Sequence, residues 1–172
     1  MKVTLVVLFL IAAAGRAADL RSDLAVGRAY YAEGDFRRAV IHFQRQLKLD
    51  PDEPEVNYWT GMAFQGLGDV ATPFGARYNA KAILYLTRAA ALAPGRPDYR
   101  RALFDFLADS ASESPAPLRL AEGMLRRTPE SDPEYNAMRR RIELERRASS
   151  SAGAQFDRLF LAIPRAGFRV VP

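Results

Sequence analysis

GRAYYAEGDFRRAVIHFQRQLKLDP, residues 27–51, is the stretch that decides how the chain folds. Gly27 and Tyr30 stand one helical turn apart, and Gly34-Asp35 then interrupts the helical pattern. Ala39 and Phe43 lie one turn apart on a second helix that Pro51 ends. Each residue type has a steric reason to be where it is. A glycine and an alanine let two antiparallel helices approach closely, while Tyr30 and Phe43 fill the space beside them. Gly34 can take the left-handed conformation that terminates a helix. The stretch predicts two helices nested through small-beside-aromatic contacts.

The pattern extends in both directions. Upstream, Asp19 is an N-cap residue type, and Leu20, Leu24, Gly27 and Tyr31 recur near helical spacing. Downstream, a second unit opens at Pro54 and carries Val56, Tyr58, Trp59, Met62, Ala63 and Phe64 on a helix predicted to end at Gly66-Leu67-Gly68-Asp69. Gly61 and Phe64 repeat the spacing of Gly27 and Tyr30, and Gly68-Asp69 that of Gly34-Asp35. Ala82, Leu86, Ala89 and Pro94 stand where Ala39, Phe43, Gln46 and Pro51 stand earlier. The step from Gly68 to Ala82 is nine residues longer than that from Gly34 to Ala39. Within this insertion, Thr72-Pro73 has the residue types of a helix start. It predicts one helix over Pro73–Ala93 whose first two turns project past their neighbour. Phe74, Arg77 and Tyr78 on that overhang either cap the core or form one wall of a partner site.

The order of small residue, large aromatic, turn, small residue, large aromatic and proline resembles the tetratricopeptide repeat, a helical pair of about 34 residues. The resemblance implies an all-α fold, a short α-solenoid of antiparallel helix pairs with about seven helices. Repeat one covers about residues 20–53, with every marker position except the first aromatic filled. Repeat two covers 54–96, with its insertion near 70–80, and a degenerate unit follows at 97–130. That third unit begins at Arg96-Pro97-Asp98, keeps Tyr99, Leu103, Phe106 and Leu107 in phase, and places Phe104 where Gly27 and Gly61 stood. A loop at Ser110–Pro117 leads to a helix that starts at Pro115 or Leu118 and ends at Arg127, with Leu118, Ala121 and Leu125 on its apolar side. A helix over 133–148 has Tyr135, Met138 and Ile142 on one narrow side and arginines over the rest, as a capping helix of stacked repeats requires.

Residues 149–172 read as a Ser/Ala linker followed by an apolar tail in which Phe156, Leu159, Phe160 and Ile163 form a short amphipathic segment. The tail folds back on the helices, seeks a partner or membrane, or stays disordered; the sequence leaves all three open. Residues 1–17 have the plan of a secretory signal peptide: Lys2, an apolar run over Val3–Ala14, then small residues up to Ala17. The repeat domain accordingly runs over 18–148, and the expected location is a bacterial periplasm. The chain has no cysteine, hence no lipobox, disulfide or thiolate metal site. Loss of Lys2 and Arg16 with the leader lowers the net charge from +5 to +3, and no basic stripe interleaved with aromatics remains. A nucleic-acid partner is therefore not expected.

No catalytic, cofactor or metal constellation stands out. His42 is the single histidine and lies off the predicted buried stripe. No glycine-rich phosphate loop occurs, and Asp50, Asp52 and Glu53 lack the glycine and spacing of a calcium loop. The expectation is a non-enzymatic adaptor or scaffold whose partner is a protein or peptide. By the resemblance, a concave groove made by the first helix of each repeat is lined by Arg28 and Tyr31, by Tyr58, Met62 and Gln65, and by Arg101 and Asp105. Apolar surface would be buried there, and guanidiniums would hold carboxylates or backbone carbonyls. The family's clamp for a peptide C-terminus is not matched, since Arg28 and Tyr58 occupy positions it needs. The alternative is an accessory subunit that docks through the tail, with Phe74, Arg77, Tyr78, Phe156 and Phe160 as a second candidate surface.

Overall fold

The computed structural model describes residues 23–71, 75–112 and 115–161, with residues 112 and 152–161 described by their backbone alone. Among them are seven α-helices and no strand: α1 (residues 23–32), α2 (Phe36–Leu49), α3 (Pro54–Val70), α4 (Ala76–Leu92), α5 (Pro97–Asp109), α6 (Pro115–Arg127) and α7 (Tyr135–Leu161). The all-α expectation holds. The described residues divide into two units between Phe106 and Leu107, inside α5. The expected leader at 1–17 and the end of the tail at 162–172 lie outside the described residues.

In the first unit, local chemistry sets the helix ends. Gly34 sits at φ +78°, the left-handed region that a side chain would strain. The N–H groups of Gly34 and Asp35 donate to the Tyr31 and Tyr30 carbonyls, closing α1. The Asp35 carboxylate then accepts the Arg38 N–H at 3.0 Å and caps α2. Pro54 opens α3 at a position where its missing N–H costs nothing. Asn57, wholly buried, donates from Nδ2 to the carbonyls of Pro51 and Glu53 and ties the intervening turn to α3.

Packing in the two helix pairs repeats contact for contact. A Cβ on Gly27 would stand 2.8 Å from Phe43 Cδ1, and one on Gly61 would stand 2.7 Å from Leu86 Cγ. Phe43 and Leu86 are fully buried, as are the two alanines one turn before them, Ala39 and Ala82. Tyr30 stacks on His42 at 5.4 Å, and Phe64 stacks on Tyr85 at 5.6 Å. A cation covers each of those first rings, Arg38 over Tyr30 and Lys81 over Phe64. First-helix positions are related by 34 residues and second-helix positions by 43. His42, which the sequence presents as an isolated surface residue, is therefore the counterpart of Tyr85, and its Nδ1 lies 3.0 Å from Asp23 Oδ1.

The second pair departs from expectation where the insertion falls. α3 does not end at Gly66–Asp69 but runs through both glycines to Val70. Neither glycine makes a turn. A Cβ on Gly66 would meet the Phe36 ring at 2.7 Å, and one on Gly68 would overlap the Asn79 side chain. These glycines serve close approach of neighbouring helices. Gly75 in turn faces the Gly68 carbonyl oxygen, so α4 starts against the end of α3 instead of projecting past it. Tyr78 stacks on Phe64 at 6.3 Å. The sequence of contacts Gly61–Leu86, Phe64–Tyr85 and Gly68–Asn79 shows α3 and α4 antiparallel, and Gly66 against Phe36 shows the same for α2 and α3. The predicted helix start at Thr72-Pro73 lies outside the described residues.

In the second unit, Leu107, Ala108 and Ala111 are buried, as are Ala121 of α6 and Met138 and Ile142 of α7. Arg141 pairs with Asp109 and with Glu145, and Arg146 pairs with Glu122 at 2.7 Å. The expected linker at 149–154 is not a break: α7 continues through it as helix to Leu161.

The glycine contacts carry a stability prediction. Glycine-to-alanine in an open helix is expected to gain up to about 1 kcal/mol, which is the outcome for Gly123→Ala, whose nearest neighbour is the tip of Arg126 at 3.7 Å. Gly61→Ala is expected to lose about 1–3 kcal/mol from overpacking against Leu86. Urea denaturation of the two variants checks the opposite signs.

Candidate partner-binding face

α1, α3 and α5 lie side by side through cross-helix ring contacts. Tyr31 of α1 packs edge-on against Trp59 of α3 at 5.3 Å and 67°. Arg28, one turn earlier, reaches Glu55, one turn before Trp59, so α1 and α3 run in the same direction. Tyr58 also packs edge-on against Trp59, at 5.3 Å and 75°, and stacks on Tyr99 of α5 at 4.7 Å. Phe36 closes the other end against Tyr31 at 5.4 Å. The result is a continuous strip of five rings, Phe36–Tyr31–Trp59–Tyr58–Tyr99. Each such pair contributes about 0.5–1.5 kcal/mol beyond area burial. Tyr99 is buried, whereas Tyr31, Tyr58 and Trp59 are half-buried and keep part of their surface in solvent.

Two guanidiniums cover this strip. Arg28 lies 4.9 Å from the Trp59 ring centre, and Arg96 lies 4.5 Å from that of Tyr99. Each is also paired with a carboxylate, but not equally well. Arg96 binds Asp98 through two hydrogen bonds, of 3.0 and 2.7 Å. Arg28 meets Glu55 at 3.4 Å with about half its side chain in solvent. An exposed pair of that length is worth about 0–1 kcal/mol, and the exposed cation–π contact about the same. Arg96 is held; Arg28 can leave. The hydrogen bond from Arg96 also holds the Asp98 carboxyl below its usual range.

Of the residues expected to line a groove, Arg28, Tyr31 and Tyr58 converge on Trp59. Met62 and Gln65 continue the Tyr58 stripe of α3 and are half-buried. Arg101 and Asp105 are exposed one turn apart on α5. Trp59, Tyr99, Glu55, Arg96 and Asp98 escape a reading by family position. Trp59 falls beside the expected groove stripe and Tyr99 reads as core. On the second surface, Arg77 covers the Tyr78 ring and donates to its hydroxyl at 2.8 Å, while that ring stacks inward on Phe64. Phe74 and the side chains of Phe156 and Phe160 lie outside the described residues. Among the described residues no group of three or more His, Cys, Asp or Glu side chains converges as a metal site would. No protein-family model matches the chain, and neither does any curated protein.

The strip has a pH signature. Burial first, then Asp69, raises the Tyr31 phenol above its ordinary 10.0. Burial, then Tyr31 and Asp98, raises Tyr58 against the opposing Arg96. Tyr99 is raised mainly by burial. A phenol whose folded-state value is raised is neutral in both states at lower pH. As pH climbs past the ordinary value the unfolded chain loses the proton first, so stability declines from there up to the folded-state value. The urea midpoint is expected to fall above about pH 10, and a Tyr31→Phe, Tyr58→Phe double variant is expected to fall less steeply over the same range.

Proposed function

We propose that the protein is a non-enzymatic adaptor or assembly scaffold of the tetratricopeptide type that holds an extended segment of a partner protein along the α1–α3–α5 face. The observation that carries this reading is the strip of rings that runs from the half-buried Tyr31 of α1 across Trp59 and Tyr58 of α3 to the buried Tyr99 of α5, with one guanidinium held only weakly over it. Half-buried aromatics offer contact area at small entropic cost, since each ring has two rotatable bonds. Methionine at position 62 adds an adaptable apolar surface along the same stripe. An extended segment suits a face built from successive helices better than a small ligand, which calls for a concave pocket.

The leader-like residues 1–17 support export, and the cell envelope is the proposed site of action. No described helix is long and apolar enough to cross a membrane. The partner is a protein, and neither nucleic acid nor a cofactor enters the proposal.

Photo-crosslinking in intact cells tests it. A photoreactive residue at Gln65 or Arg101 is expected to trap a defined protein, whereas one at Ile41 or Leu84, exposed on α2 and α4, is expected to trap none. Equal trapping from both sets, or trapping only from position 160, would remove the α1–α3–α5 face from this role.

A further inference from the structure

Trp59 has two tyrosine rings set steeply against it: Tyr31 stands at 67° to it and Tyr58 at 75°, both with ring centres at 5.3 Å. Over the indole lies a guanidinium, and beside that guanidinium lies the Glu55 carboxylate. Rings set steeply to one another with an acid at the edge form the environment that a desolvated cation prefers. Here the cation is the chain's own Arg28, half in solvent and joined to Glu55 by a single 3.4 Å contact.

The charges around the strip point the same way. Glu53, Glu55, Asp69 and Asp98 act on its tyrosines, against Arg96. Arg96 is already consumed by its two hydrogen bonds to Asp98. An acidic segment would compete with Glu55 for Arg28 and with Asp98 for Arg96. A basic one would gain a ring face and a carboxylate while Arg28 moves into water.

We infer that the Tyr31–Trp59–Tyr58 corner receives an arginine side chain of the bound segment, and that Arg28 occupies this place in the free protein. The inference rests on the proposed role of the face and specifies which residue type it reads. Arg28 is then an internal competitor. Apparent affinity is reduced by the fraction of time it covers the indole.

Trp59 is the single tryptophan, so its fluorescence reports the corner directly. The probe is a blocked pentapeptide with a central arginine, compared with the same peptide carrying citrulline, lysine or glutamate. The arginine peptide is expected to bind tightest. Arg28→Ala is expected to tighten it about fivefold by removing the competitor, and Arg28→Gln, which keeps most of the apolar stem, is expected to tighten it in the same direction. Glu55→Gln is expected to weaken it about threefold or more by loss of a charge-assisted hydrogen bond. An arginine peptide no tighter than the citrulline one, a glutamate peptide that binds best, or weakening by both Arg28 variants would overturn the inference. A lysine peptide equal to the arginine one would overturn the choice of a guanidinium. Crosslinking at Gln65 with no arginine preference would sink this inference alone. Arginine preference with no crosslinking would sink the adaptor role instead.

Discussion

The first helix pair depends on a missing methyl group. Phe43 lies where a Cβ on Gly27 would be, and in the next pair Leu86 lies where a Cβ on Gly61 would be. Interiors pack like organic solids, so a one-carbon intrusion cannot be absorbed without moving a helix. The absence of that carbon fixes the separation and direction of α1 and α2, and of α3 and α4. Tyr30 on His42 and Phe64 on Tyr85 follow from the same placement, as do the cations Arg38 and Lys81 over the first ring of each pair. Three contacts repeat because one separation repeats.

The same logic shows how the second pair accommodates extra chain. Lengthening a helical hairpin without a cavity needs more close contact along the added turns. Gly66 against Phe36, Gly68 against Asn79 and Gly75 against the Gly68 carbonyl provide it. α3 gains its last turn at the cost of two glycines in a helix interior, each unfavourable by about 1 kcal/mol relative to alanine. Backbone contact with neighbouring helices offsets that cost. The insertion therefore makes a longer pair, and Tyr78 at its far end faces Phe64 within the pair.

Much of this was legible in the residues themselves. Gly27, Gly34, Ala39, Phe43 and Pro51 define a helix pair because each residue type is nearly forced by its local geometry. Gly66 and Gly68 were misleading for a physical reason: a glycine that ends a helix and a glycine that admits a neighbour look alike until the neighbour is known. Only Gly34 among the described residues takes a positive φ. The Ser149–Ala154 stretch reads as a linker on composition, yet it lies inside α7, where its alanines and the preceding helix outweigh weak local preferences. The candidate face was half legible. Arg28, Tyr31 and Tyr58 follow from the resemblance to the repeat. Trp59 and Tyr99 do not, because their importance comes from contacts between helices far apart in sequence.

That difference separates what builds the fold from what the face is for. The contacts within each pair are translated copies, whereas the contacts across α1, α3 and α5 are not. Counterparts of Trp59 under the same offsets are Ala25 and Ala102, and the counterpart of Tyr31 is Gln65. A scaffold can reuse one packing solution indefinitely, since any copy serves as well as another. Recognition cannot, because a uniform face would bind a segment equally well in every register. The single tryptophan, walled by Tyr31 and Tyr58 and covered by the loosely held Arg28, breaks the translational symmetry at one place. That break is what a bound segment could use to fix its register on an otherwise repetitive surface.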